Sequence, residues 1–282
     1  MHRRMISHYK QILFAVWAKL KKSIVFDTAA ALAFFTILSL FPFLIAAISI
    51  ASLFVDSTWV MDRARVTLGE YFPNANNYIM DLVHGIINER GAVGTVSTLG
   101  LFWSGGKVFG TLTSALNRIF GVEDSFSYFK SLALQLLMTL TIGLLFIIGL
   151  GSSVAIGYLA DLIPNHILST AGTSLFKYLL PAIILFLALF LSYRFVPRRK
   201  PSSMAAAKGA LTGTILIVGA QPIFSYYIGQ FANFNVVYGS LSILISLMVW
   251  IWVAAIITLF GGALAAQLDS TKKDRIHQET AL

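Results

Sequence analysis

The chain has 282 residues, 57% of them apolar and 12% charged, where an average globular domain carries about 25% charged residues. Too little polar surface exists to coat a water-soluble particle of this size, which excludes that class first. Cysteine is absent, which excludes a disulfide framework, a thiol nucleophile and a thiolate metal site, and the net charge of +9 leaves nucleic acid or an anionic membrane as the partners to weigh.

Apolar residues at Ile12, Leu13, Val16, Trp17, Leu20 and Ile24, with Lys19, Lys21 and Lys22 elsewhere, predict a basic amphipathic helix over 10–26. Such a helix suits the surface of an anionic leaflet, with a helix packed on the protein as the alternative. Residues 28–55 then run without a charge, and a bilayer core of ~30 Å needs about 20 apolar helical residues. This is the first predicted span, with a bend at Pro42, where a backbone donor is lost. The run is far longer than the ~7–15-residue apolar region of a signal peptide, so the span is expected to be retained.

Residues 56–92 read as an extracytoplasmic helical loop. Ala75, Tyr78, Ile79, Leu82, Val83, Ile86 and Ile87 form a helical stripe expected to cap the outer mouth of a bundle. Asp81, His84 and Asn88 share the opposite face, but no second histidine or carboxylate stands at ligand spacing, so no metal is expected.

The second predicted span, 93–116, contains "TLGLFWSGGKVF" (98–109) and a single charge, Lys107. A phosphate loop needs a glycine where Leu101 stands and a hydroxyl where Val108 stands, so that reading fails. Lys107 is left as an ammonium in an apolar segment, which costs about 2.5–3.5 kcal/mol on insertion scales. It either faces a watery cavity, where it meets an anion such as a lipid phosphate, or snorkels to the interface from a short or tilted helix.

Further spans are predicted at 132–160, 178–196, 207–228 and 239–266. Residues 209–268 lack any formal charge; as one helix they would extend ~90 Å, so they must reverse, and 229–240 is the polar stretch that permits it. Gln221-Pro222 marks either a helix break lining a cavity or an ordinary kink. With six spans, sixteen Lys/Arg fall on one face and four on the other, which places both termini in the cytoplasm and reads most of the basic excess as an orientation signal. The fold class is therefore all-α, a polytopic membrane protein of six transmembrane helices forming a single membrane domain.

Enzyme chemistry finds little support. The five histidines are scattered, and none of the 12 acids lies in a predicted span. A two-metal nuclease needs converging carboxylates, and a proton-coupled pump needs a buried one. No catalytic residue, cofactor or nucleic-acid partner is expected.

The stretches "DTAAALAFFTILSLFPFLI" (27–45), "LFWSGGKVFGTLTSALNRIFGVED" (101–124), "LFLSYRFVPRRKPSSMAAAKGALTG" (189–213) and "FNVVYGSLSILISLMVWIWVAAIITLFGGALAA" (234–266) resemble the YihY/virulence factor BrkB family, some members of which have also been called ribonuclease BN. The chain departs from the family pattern at Asp124-Ser125-Phe126 and at Gly261-Gly262-Ala263, where the family commonly carries an arginine-led run and a following glutamate. The resemblance implies a multi-pass protein of the bacterial inner membrane that handles lipid or lipopolysaccharide precursor in the envelope. It turns attention to Asn117, Tyr193, Arg194, Tyr238, Gly239 and Ser240, beside Lys107, Arg118 and Gln221 from the residue reading. Three functions follow: a transporter or flippase-like protein for an anionic amphiphile; a non-catalytic envelope scaffold docking a partner through 75–90; and, weakest, a ribonuclease.

Overall fold

The computed structural model describes residues 14–16, 18–21, 24–54, 90–122, 128–162, 170–230 and 242–280. Six helices run through them: α1 Val25–Phe54, α2 Arg90–Ile119, α3 Tyr128–Leu162, α4 Thr170–Phe195, α5 Ser203–Gln230 and α6 Ser242–Thr280. No strand occurs among the described residues. Each predicted span overlaps one of these helices; residues 55 and 239–241 lie outside the described residues, and Val196 lies one residue past the end of α4. Of the expected extracytoplasmic helix over 75–90, residues 75–89 lie outside the described residues and Arg90 is the first residue of α2; the Tyr238-Gly239-Ser240 tripeptide also lies outside the described residues.

Four helices contain segments long and apolar enough to cross a membrane: Val25–Ala46, Phe129–Gly149, Ser203–Ile228 and Leu244–Thr271. α4 contributes a shorter apolar stretch, Leu179–Phe195. α2 is not among them. Its 30 residues are long enough, but they are rich in glycine, serine and threonine and carry Arg90, Lys107 and Arg118. Such a composition serves close helix contact rather than lipid solubility. Large apolar side chains stand exposed along α1, α3, α4 and α5, among them Phe34, Phe41, Leu137, Leu144, Ile183 and Ile215, as expected of helices whose solvent is lipid tails.

The chain divides into two compact units. One is formed by residues 35–107. Within it the small residues of α2 lie against α1: a Cβ on Gly94 would sit 3.0 Å from the Ser49 Cβ, and one on Gly100 would meet the Pro42 ring at 3.6 Å. The other unit comprises residues 1–34 and 108–282. Its core brings together Phe109, Leu112, Leu116, Ile119, Leu189, Tyr193, Val196, Leu259 and Ala265. Val16 and Leu20 from the N-terminal segment join the same core. At these two positions the apolar face of that segment is covered by protein, while Phe14 is exposed.

Two local devices position the ends of the helices in this unit. α2 closes on Gly121, at φ +68°, a left-handed value that glycine adopts without a Cβ penalty. Gly121 N–H donates to the Arg118 carbonyl at 3.1 Å and Val122 N–H to the Asn117 carbonyl at 2.9 Å, the paired bonds of a Schellman cap. α5 opens on Ser202, whose Oγ accepts from Ala205 N–H at 3.3 Å, satisfying one of the amides that a helix start leaves without a partner.

Candidate functional site

Tyr193 lies at the centre of the second unit, fully buried. Its Oη donates to the Thr258 carbonyl of α6 at 2.6 Å, which ties α4 to α6 with a polar bond inside an apolar core. Around it the backbones of α5 and α6 approach closely. A Cβ on Gly209 would stand 2.5 Å from the Gly261 carbonyl oxygen, and one on Gly261 would stand 2.9 Å from the Gly209 carbonyl oxygen and 2.6 Å from the Tyr193 hydroxyl. Neither position has room for a side chain. The departure from the family pattern at Gly261-Gly262 thus falls on a helix crossing, where Gly262 also faces Leu116.

One turn beyond Tyr193, the connection between α4 and α5 is held rigidly. Val196, Pro197 and Pro201 are buried, whereas Arg198, Arg199 and Lys200 are exposed between them. Asn117 Oδ1, presented by the capped end of α2, accepts from Arg198 N–H at 2.8 Å. Asp269 Oδ1, from α6, accepts from Ser202 N–H at 2.8 Å. Both ends of the turn are therefore fixed by side chains from other helices. Lys19 reaches the same region. Its amine is pushed below the ordinary lysine range, first by its partial burial and then by the charge of Arg199.

The remaining site residues predicted from sequence are distributed differently. Lys107 and Arg118 are both exposed on α2. Lys107 shares one exposed face with Val96, Leu99 and Trp103, at the 3–4-residue spacing of a helix face. Arg194 is half-buried, with its guanidinium 5.9 Å from the centroid of the Phe195 ring, a cation–π distance. Gln221 and Pro222 are exposed on α5, which runs unbroken past them to Gln230; a kink within a continuous helix fits better than a break. The structure thus brings Asn117, Tyr193 and the residues following Arg194 together, and leaves Lys107, Arg118 and Gln221 on outward faces.

Sequence reasoning did not single out Asp269, which is 4% exposed. It lies three residues past the predicted end of the last span and read as a tail residue. Its signal was the uncharged run that it terminates. Nor did the sequence mark Gly209 and Gly261 as a crossing, since small residues one helical turn apart are frequent in this chain. Among the described residues, no group of three or more His, Asp or Glu side chains is arranged to hold a metal ion.

The family model described as Virulence factor BrkB matches residues 16–281. Among individual relatives, YfkH of Bacillus subtilis (strain 168), which bears the name ribonuclease-like protein, is 27% identical over 87% of this chain and 90% of its own. A UPF0761 membrane protein of Vibrio atlanticus (strain LGP32) is 29% identical, over 89% of this chain and 80% of its own. One from Prosthecochloris aestuarii is also 29% identical, over 83% of this chain but only 55% of its own greater length. No solved structure matches the chain.

Proposed function

The chain belongs to the virulence factor BrkB family of multi-pass bacterial membrane proteins, and from that premise we propose that it moves or shields an anionic amphiphile, a phospholipid or envelope-lipid precursor, along the exposed face of α2. In this reading all six helices span the inner membrane and both termini are cytoplasmic. The observation that carries it is the face on which Lys107 stands exposed with Val96, Leu99 and Trp103. A cation at mid-helix is expensive in lipid and is expected to have a use. A head group on this face would meet Lys107 about half-way along α2. The small residues of α2 keep its opposite face close to the protein, so the outward face remains open to lipid. The reading is non-catalytic. A nuclease of the two-metal type requires several acids at one point. The only carboxylates among the described side chains are Asp27, exposed at the start of α1, and Asp269, engaged at the α4–α5 turn.

The test is lipid translocation by purified protein in liposomes doped with fluorescent phosphatidylglycerol. Wild type is expected to accelerate exchange between leaflets, and Lys107→Ala to lower the rate about tenfold, the loss of one charge-assisted hydrogen bond. An unchanged rate removes Lys107 from the mechanism, and no exchange by wild type removes the proposal. Digestion of RNA by metal-supplied protein would replace it with the activity that the YfkH name carries.

A further inference from the structure

Three cations in succession, Arg198-Arg199-Lys200, are usually a solvated run that orients the chain. Here they are locked in place. Pro197 and Pro201 are buried on either side of them, Asn117 fixes the amide of Arg198, and Asp269 fixes that of Ser202. The fold then brings a fourth cation to them across 180 residues of sequence: Lys19, on a segment pinned into the core by Val16 and Leu20. Arg199 and Lys200 thus stand exposed on a backbone whose position is set by buried prolines and by two hydrogen bonds. The flanks of the turn are apolar and exposed: Phe195 is 42% accessible immediately before it and Met204 65% accessible just after it. A free anion uses the cations alone. A phospholipid uses the cations for its phosphate and the two flanks for its acyl chains.

We propose that the α4–α5 turn and the 14–21 segment form a docking platform for the head group of an anionic phospholipid, with Arg199 and Lys200 holding the phosphate, Lys19 at its edge, and Phe195 and Met204 against the chains. The rigidity of the turn reduces the ordering cost of binding. The platform shares no residue with the exposed face of α2 and requires no translocation, so it stands or falls separately from the proposed activity.

The experiment is native mass spectrometry of the full chain in detergent, titrated with phosphatidylglycerol, phosphatidylcholine or inorganic phosphate. Phosphatidylglycerol is expected to bind more tightly than phosphatidylcholine and to resist displacement by inorganic phosphate. Arg199→Gln/Lys200→Gln is expected to weaken phosphatidylglycerol about tenfold or more, from the contribution of each interfacial cation, and to leave phosphatidylcholine unchanged. Lys208→Gln, an exposed lysine farther along α5, is expected to leave both affinities intact. An unchanged affinity in the double variant overturns the platform. So does an equal loss in the Lys208 control, which would mean diffuse surface charge, and so does displacement by inorganic phosphate, which would mean a free-anion site. Should the double variant not be recovered folded, wild type in rising salt decides: phosphatidylglycerol affinity must fall several-fold while phosphatidylcholine affinity holds, and salt-insensitive binding overturns the proposal.

Discussion

Tyr193 shows how one hydroxyl can matter in a core that offers it no water. In an apolar surrounding an unmade hydrogen bond is costly, and the Thr258 carbonyl supplies the partner at 2.6 Å. That carbonyl still belongs to α6, so removing the hydroxyl strands no other group. Tyr193→Phe is therefore expected to lower stability by only about 1 kcal/mol, the net worth of one bond. Tyr193→Ala empties a fully buried ring site and is expected to cost about 3–5 kcal/mol. Thermal unfolding of the detergent-extracted protein measures both. Equal losses would mean that the bond, and not the ring, carries the position. The tyrosine was visible in the sequence as part of a motif, but its role was not: a phenol in a span reads equally well as a ligand contact or as a buried tie. Only its distance to Thr258, 65 residues away, distinguishes them. The same holds for Asn117, whose bond to Arg198 N–H crosses 81 residues.

At the scale of elements, the helices were legible because 28 and 30 uncharged residues in a row (28–55 and 131–160) admit almost no other structure. Their packing was not, because it depends on which small residues face one another. Gly209 and Gly261 meet backbone to backbone, and no side-chain movement can make room for a methyl group there. Gly209→Ala is expected to force α5 and α6 apart and to cost about 1–3 kcal/mol, the range of overpacking. Gly219 lies on the same helix with nothing within 4 Å of its missing Cβ. Gly219→Ala is expected to be neutral, or stabilising by up to about 1 kcal/mol through helix propensity. Both variants gain the same methyl group, so a difference in unfolding temperature between them isolates the crossing. Similar behaviour in the pair would show that α5 and α6 do not approach as closely as described.

For the whole molecule the open question is α2, which has the length of a span without its composition. The contacts at the helix ends constrain the answer by parity. The Asn117–Arg198 bond places the end of α2 beside the α4–α5 turn, so the crossings between them, by α3 and α4, must be even in number. The Asp269–Ser202 bond does the same for α5 and α6. Val16 and Leu20 share one buried core with Val196 at the same turn, so in a membrane the crossings from α1 to α4 must also be even. In the proposed reading α1, α3 and α4 each cross, and this parity then has α2 cross as well, its glycines and serines serving contact with other helices. The chain contains no cysteine, so single substitutions can be read without background. Lys21→Cys and Lys200→Cys are expected to react with a membrane-impermeant maleimide only after the inner membrane is opened, and Asn77→Cys before it. If α2 lay outside the membrane, Lys200→Cys would label from the Asn77 side while Lys21→Cys remained protected, and Val16 and Val196 could not share one core.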